Sequence, residues 1–365
     1  MTQRKIPAVY MRGGTSRCLV FHDKDLPRSG PARDRILLSA LGSPDPYGRQ
    51  LNGLGGGISS LSKACIIGPP THPDAHVDYT FAQVEVKNAV VDYNGNCGNC
   101  SSSVGPFAID EGLVEVTSSM TKVRIHNTNT KKIIVAHVPV KDGEAAVDGD
   151  FELAGIAGRG ARIALDFLDP GGAGTGRLLP TGQPREIIDG LEASLVDATN
   201  AVVFVRAKDL GITGTETPMA IDADAALTAR LERIRVEAGI RMGITGSAAA
   251  PKIAVMAAPT TFTALGGVAY DGDANDVVGR AMSMGNCHRA FPLTVAMCVG
   301  VAARIEGTVV HELASGRPGD IRLGHPSGIL PVDASVKTKD GAAWAEQVTV
   351  YRTARRLMEG FVRVP

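Results

Sequence analysis

The chain has 365 residues, 44% of them hydrophobic, and its 38 basic and 38 acidic side chains cancel. That length suits two domains with real cores. The balanced charge, with no basic run, argues against nucleic acid as a main partner, and no apolar stretch approaches the ~18 residues of a membrane span. 

The first residues lack the apolar core of a secretory signal, so a cytoplasmic location is expected. There the six scattered cysteines should be thiols. Forty-three glycines and few aromatic residues suggest a site built from backbone and small polar groups.

Arg12-Gly13-Gly14-Thr15-Ser16 offers a guanidinium, permissive backbone and two hydroxyls, which suits an anion. A plain turn is an equally good reading. Pro31–Leu41 carries helical spacing with charges outside. The glycine run Asn52–Gly57 then delivers Ser62-Lys63 into the apolar segment Ala64–Ile67. The G-x-x-x-x-G-K-[ST] spacing of a phosphate loop is missing, and no G-x-G-x-x-G follows a strand. Pattern alone favours a solvent-facing Lys63; a buried Lys63 would lose proton affinity and become a usable base.

His76–Val86 and Lys122–Val140 are rich in Val, Ile and Thr and read as strands. Asn94-Gly95 has the residues of a tight turn. Asn96-Cys97-Gly98-Asn99-Cys100 places a thiol where the helix Gly98–Gly112 is expected to begin. Unpaired N–H groups and the helix dipole would there favour thiolate, and the same N–H groups could hold a carboxylate. An inert buried thiol is the blander reading. A redox or metal-binding C-x-x-C is a third, weakened because no second C-x-x-C or His pair completes a tetrahedral site. Pro106 must either kink this helix or start it with Ser103 as cap.

In the second half, Ala223–Ala238 has helical spacing and Ile253–Ala257 reads as a strand. Gly285-Asn286-Cys287-His288-Arg289 precedes Arg289–Ile305, a helix with no polar face that should be buried at the centre of its domain. His325-Pro326-Ser327-Gly328 is turn-like, with His325 as readily structural as ligand-facing. No H-E-x-x-H, paired-carboxylate motif or serine elbow is present.

The two halves echo one another. Val123-Arg124-Ile125-His126 through Lys141-Asp142-Gly143 aligns without a gap on Ile321-Arg322-Leu323-Gly324 through Lys339-Asp340-Gly341. Val20-Phe21 to Leu26 matches Val203-Phe204 to Leu210, Gly95-Asn96-Cys97 matches Gly285-Asn286-Cys287, and Glu111–Val114 matches Glu306–Val309. Collinear echoes imply two copies of one domain. Gly and Pro cluster at Thr181–Pro184, so the domains are expected at 1–184 and 185–365, with the last strands free to cross back. A cleft between copies is a favoured ligand site.

Met11–Ser16, Gly42-Ser43-Pro44-Asp45, Ser62-Lys63, Val77-Asp78-Tyr79, Asn96–Asn99, Gly105–Ile109, Leu179–Gly182, His288-Arg289 and His325–Gly328 together resemble the family of methylitaconate Δ-isomerase. That family also holds 2-methylaconitate cis-trans isomerase and 4-oxalomesaconate tautomerase. The resemblance runs nearly end to end and implies the diaminopimelate epimerase fold, an α/β (α+β roll) architecture. In it, two duplicated domains each curl a mixed sheet around a central buried helix.

The resemblance further implies a cofactor-independent isomerase, with no metal, acting on a small unsaturated di- or tricarboxylate. Lys63 and Cys97 would be catalytic, Lys63 as base and Cys97 as acid, with the reverse order open. Arg12, Thr15, Ser16, Ser62, Gly98, Asn99, His288, Arg289 and Ser327 would bind substrate. No membrane or nucleic-acid partner is implied, and a homo-oligomer is left open. Arg17, Asn52, Cys100 and Cys287 depart from the family pattern, which puts the exact substrate in doubt. A two-thiol racemase or epimerase using Cys97 and Cys287, and an accessory protein of an aconitase-like dehydratase, are the competing readings.

Overall fold

Alternating Val, Ile and aromatic residues give the strands two usable faces, and both faces are buried under helices. The computed structural model describes residues 3–93, 96–247, 250–283 and 285–365. The chain divides into two units, one made of residues up to Phe167 together with Tyr351–Pro365, the other of Leu168–Val350. The Asn94-Gly95 turn expected from sequence lies outside the described residues.

In the first unit the strands are β1 (Arg4–Gly13), β2 (Ser16–His22), β3 (Lys63–Gly68), β4 (Val77–Val84), β5 (Val91–Asp92), β6 (Met120–Asn127) and β7 (Lys132–Lys141). β1 runs antiparallel to β2, β2 parallel to β3, β3 antiparallel to β4, β4 parallel to β6, and β6 antiparallel to β7. The C-terminal strand Ala354–Val364 lies antiparallel on β1, with a bulge between Tyr10 and Met11.

Helix α1 (Pro31–Leu41) begins on a proline, whose missing N–H costs nothing at that position, and ends on Gly42 in the left-handed conformation. Its Ile36, Leu37 and Leu41 pack on Leu19, Phe21, Ala64, Ile66, Ala82 and Val84. Strand residues one step out of phase therefore face the other way, among them Cys18, Lys63, Cys65, Tyr79, Phe81 and Gln83. Helix α2 (Gly98–Asp110), buried along almost its whole length, belongs to that other side.

Pro106 sits inside α2, which runs through it without stopping. The helix is therefore capped by Cys97, and Ser103 is an interior residue whose hydroxyl bonds back to the Cys100 carbonyl at 2.7 Å.

The second unit repeats the same order of pairings. Leu191–Asp197 is antiparallel to Ala201–Arg206, which is parallel to Lys252–Ala257; that strand is antiparallel to Val277–Ser283. Val277–Ser283 is parallel to Ile321–His325, itself antiparallel to Gly328–Lys339. Helices α3 (Pro218–Ala223) and α4 (Ala225–Arg241) supply one apolar cluster. α5 (Leu293–Ala302) is apolar all round and buried, followed by the short α6 (Val309–Leu313). Each unit is thus a mixed sheet around a central helix. Among the described residues no helix is long and apolar enough to cross a membrane.

One sequence expectation fails here. Gly285-Asn286-Cys287 does not open the second central helix: Cys287 lies in a two-residue strand, and α5 begins only after Pro292. The intervening Phe291-Pro292 delays the helix, because a proline pushes the residue before it out of helical backbone and is tolerated at a helix start but not in its interior.

Candidate active site

Cys97 caps α2 in an extended conformation, and its sulfur accepts the N–H of Cys100 at 3.4 Å. A cap of this kind aims unpaired N–H groups at negative charge. The thiol of Cys100 donates to Cys97 as well, and the ammonium of Lys63 adds a positive field. Together they outweigh burial and the neighbouring Cys18, and draw the Cys97 thiol down to about 6. Asn96 steadies the approach, its side-chain oxygen accepting from Asn127 at 3.0 Å and from Ser101 at 3.4 Å.

Lys63 is buried, not solvent-facing, because the alternation that exposes one side of a lone strand here points into the helix-covered side of the sheet. It pairs directly across the ladder with Gln83, whose Oε1 accepts from Nζ. Gln83 is itself fixed by donating to the Ser62 carbonyl at 2.9 Å and the Ser59 carbonyl at 3.2 Å. The ring of Phe81 lies 5.1 Å from Nζ.

The Arg12–Ser16 loop folds onto the first turn of α2. Thr15 exchanges two hydrogen bonds with the Asn99 amide, at 3.4 and 3.1 Å. The approach is close enough to demand glycine: a Cβ on Gly13 would lie 2.6 Å from the Asn99 carbonyl oxygen. One on Gly14, whose φ is +51°, would lie 2.3 Å from the Asn99 side-chain oxygen. Arg12 spends one guanidinium nitrogen on the carbonyls of Gly14 and Thr353, at 3.0 and 2.8 Å. Ser16 is buried, and Gly98 is the first residue of α2.

Ser62 stands apart from this group. Its hydroxyl donates to the Val84 carbonyl at 2.9 Å and accepts from Gln50 at 2.7 Å, so its bonding capacity is used within the fold. The remaining three candidates belong to the second unit. His288 is half-buried, with its proton affinity lowered by burial, and its Nδ1 accepts from the Ala290 N–H at 3.1 Å. Ser327 donates to the Arg289 carbonyl at 2.7 Å, which ties two turns together, and Arg289 itself is exposed.

Cys287, the second thiol of the epimerase reading, packs in the apolar cluster of α3 and α4. Burial pushes it up to about 11. A thiol in that state is a poor proton acceptor at neutral pH.

Sequence reading missed Arg352. It lies two residues before the C-terminal strand, is 5% exposed, and donates from Nε to the Asn99 side-chain oxygen at 3.0 Å and from Nη1 to the Tyr351 carbonyl at 2.7 Å. No carboxylate pairs with it among the described residues. Burial lowers its proton affinity, to about 10, and the charge of Cys97 opposes that fall. The sequence held no signal for it: it is 253 positions from its partner. A cavity of about 690 Å³ in the same unit, lined by Arg35, Ser39, Tyr47 and Arg49 among others, includes none of these residues.

A helix-capping thiol, a buried ammonium and a buried guanidinium in one unit suit proton transfer on an anionic substrate. The chain is 45% identical to the 3-methylitaconate isomerase of Eubacterium barkeri, over 99% of this chain and 98% of that one. It is 41% identical to the 2-methyl-aconitate isomerase of Cupriavidus necator, over 100% and 98%. Among solved structures, a methylitaconate-delta-isomerase superposes with a TM-score of 0.91 at 44% identity, over 100% of this chain and 96% of that one. The PrpF protein family matches residues 3–365, and the chain therefore belongs to that family, as an isomerase of small unsaturated polycarboxylates.

Proposed function

We propose that this isomerase moves a proton along the allylic system of a small di- or tricarboxylate of the methylitaconate, methylaconitate, aconitate or oxalomesaconate type, with Cys97 and Lys63 as the proton-handling pair and no cofactor. The observation that carries this reading is the placing of Cys97 at the start of α2, beside two buried cations, Lys63 and Arg352. Two positive charges and a helix start favour negative sulfur. That favours the reverse of the order first assigned, with Cys97 removing the proton and Lys63 supplying one.

Chemically, the allylic C–H proton passes to sulfur and its electron pair spreads through the double bond into the adjoining carboxylate. Arg352 and the free N–H groups of the first turn of α2 hold that developing charge. The Lys63 ammonium then protonates the far allylic carbon, and transfer from thiol to amine restores the starting state. Gln83 orients Lys63, while Asn99 and Thr15 orient Arg352 and the Arg12–Ser16 loop. The balanced charge and free thiols support a cytoplasmic enzyme without a nucleic-acid partner.

The test is turnover in heavy water with the Lys63→Ala variant alongside. Deuterium should enter the far allylic carbon, and the variant should lose about 10²–10⁴ of its rate while folding normally. A variant keeping a tenth of the rate, or label confined to a saturated stereocentre, would overturn the reading.

A further inference from the structure

The sequence offers no tetrahedral metal site because its ligands are far apart along the chain. Folding brings them together. Cys18 from β2, Cys65 from β3 and Cys100 from α2 are all completely buried, and their sulfurs lie within 4.8 Å of one another. Cys100 is hydrogen-bonded to Cys18, Cys65 and Cys97, so four thiols form one connected group. Cys97, the half-buried member, gives it a side toward solvent.

A second feature points to the same place. Among the described residues the buried Tyr79 hydroxyl has no hydrogen-bond partner, and all four thiols oppose its ionisation. A phenol left unpaired beside sulfur is a donor waiting for a stronger acceptor than a thiol, and a metal-bound thiolate is one.

We propose that Cys18, Cys65 and Cys100, completed by Cys97, form a binding site for a thiophilic divalent cation of the zinc or cadmium type, and that filling it silences the isomerase. Cys97 is already a thiolate at neutral pH; the other three sulfurs release their protons to solvent, and each of the four donates a lone pair to the metal, with nothing oxidised or reduced. Four thiolates and a divalent ion sum to two negative charges, which the neighbouring Lys63 and Arg352 balance. Soft sulfur donors select such ions over magnesium or calcium.

Reduced full-length protein, titrated with zinc without oxygen, should take up one ion per chain. Its zinc X-ray absorption should show only sulfur neighbours, at ~2.3 Å. Turnover should fall at least tenfold and return with chelator. Cys65→Ala should keep its basal turnover, bind zinc at least tenfold more weakly and escape inhibition, whereas Cys298→Ala, whose buried thiol lies outside the group, should behave as wild type. Cys18→Ala serves the same purpose should Cys65→Ala not fold.

Nitrogen or oxygen neighbours in the absorption spectrum, or undiminished zinc binding in both cluster variants, would overturn the site. Zinc uptake depends on the thiols alone, and only the loss of turnover depends on the proposed role of Cys97. The two readings therefore fail separately.

Discussion

Two cysteines that look alike along the chain meet opposite surroundings. Cys97 receives an N–H and a thiol donor and sits near a buried ammonium; Cys287 is packed among aliphatic side chains and keeps its proton. Cys97→Ser should therefore lose about 10²–10⁴ of the isomerisation rate, since serine is a far weaker acid. Cys287→Ser should retain most of it. Steady-state kinetics on an unsaturated tricarboxylate decides, and equal loss in both would restore the two-thiol reading.

Arg352 gives a second prediction at the same scale. Arg352→Gln removes the buried charge but keeps hydrogen-bonding groups, and should raise KM by about 10–100-fold, the loss of a charge-assisted pair of ~1.5–3 kcal/mol. An unchanged KM would remove it from substrate binding. Cys97 and Lys63 could be singled out as candidates because the residues around each form contiguous motifs, although pattern alone pointed Lys63 to solvent. Arg352 was not, since its meaning comes from a contact between the chain's last segment and the first turn of α2.

At the level of elements, the Arg12–Ser16 turn and the start of α2 form one construction. Glycine at positions 13 and 14 is what lets the turn approach the helix so closely that Asn99 can hold both Thr15 and Arg352. Gly14→Ala would place a Cβ on a backbone of positive φ and against the Asn99 side chain. It should cost about 1–3 kcal/mol of stability and raise KM, because Arg352 loses its brace. Denaturant titration beside kinetics separates the two effects; a variant as stable and as active as wild type would show that the turn has room to spare.

Helix α1 was readable to its ends from helical spacing, and the strand character of β6 and β7 from composition, though not the turn that divides them. The course of α2 through Pro106 was not, since a proline is compatible with a start or an interior and only packing decides. The start of α5 was misread for a related reason: repetition of Gly-Asn-Cys says nothing about how many residues intervene before a helix.

Across the whole chain, the internal echo has a physical counterpart that also shows how the copies diverged. Arg124 and Arg322, aligned by the repeat, receive the same main-chain bond, from the His76 N–H at 2.7 Å and from the Asp276 N–H at 2.8 Å. In the second unit alone the residue making that bond is a carboxylate. Asp276, 1% exposed, accepts from Arg322 at 2.8 and 2.9 Å and from Ser315 at 2.6 Å.

Burial works to raise the Asp276 carboxyl, but Arg322 and Ser315 more than offset it and hold it down to about 2. A carboxyl depressed in the folded state stabilises fully above its unfolded value and loses that stabilisation as pH falls toward the folded one. The shift is worth about 2 kcal/mol near neutral pH and should fade between about pH 4 and pH 2. Asp276→Asn should therefore unfold more easily than wild type by roughly that amount at pH 7, with the difference vanishing near pH 2. Trp344, the only tryptophan, lies in the second unit and donates to Asp169 at 2.9 Å, so its fluorescence reports unfolding of that unit. Denaturant titrations of both proteins followed at Trp344 across this range supply the measurement. A difference that persisted undiminished at pH 2 would mean that the asparagine variant fails through packing rather than through lost charge.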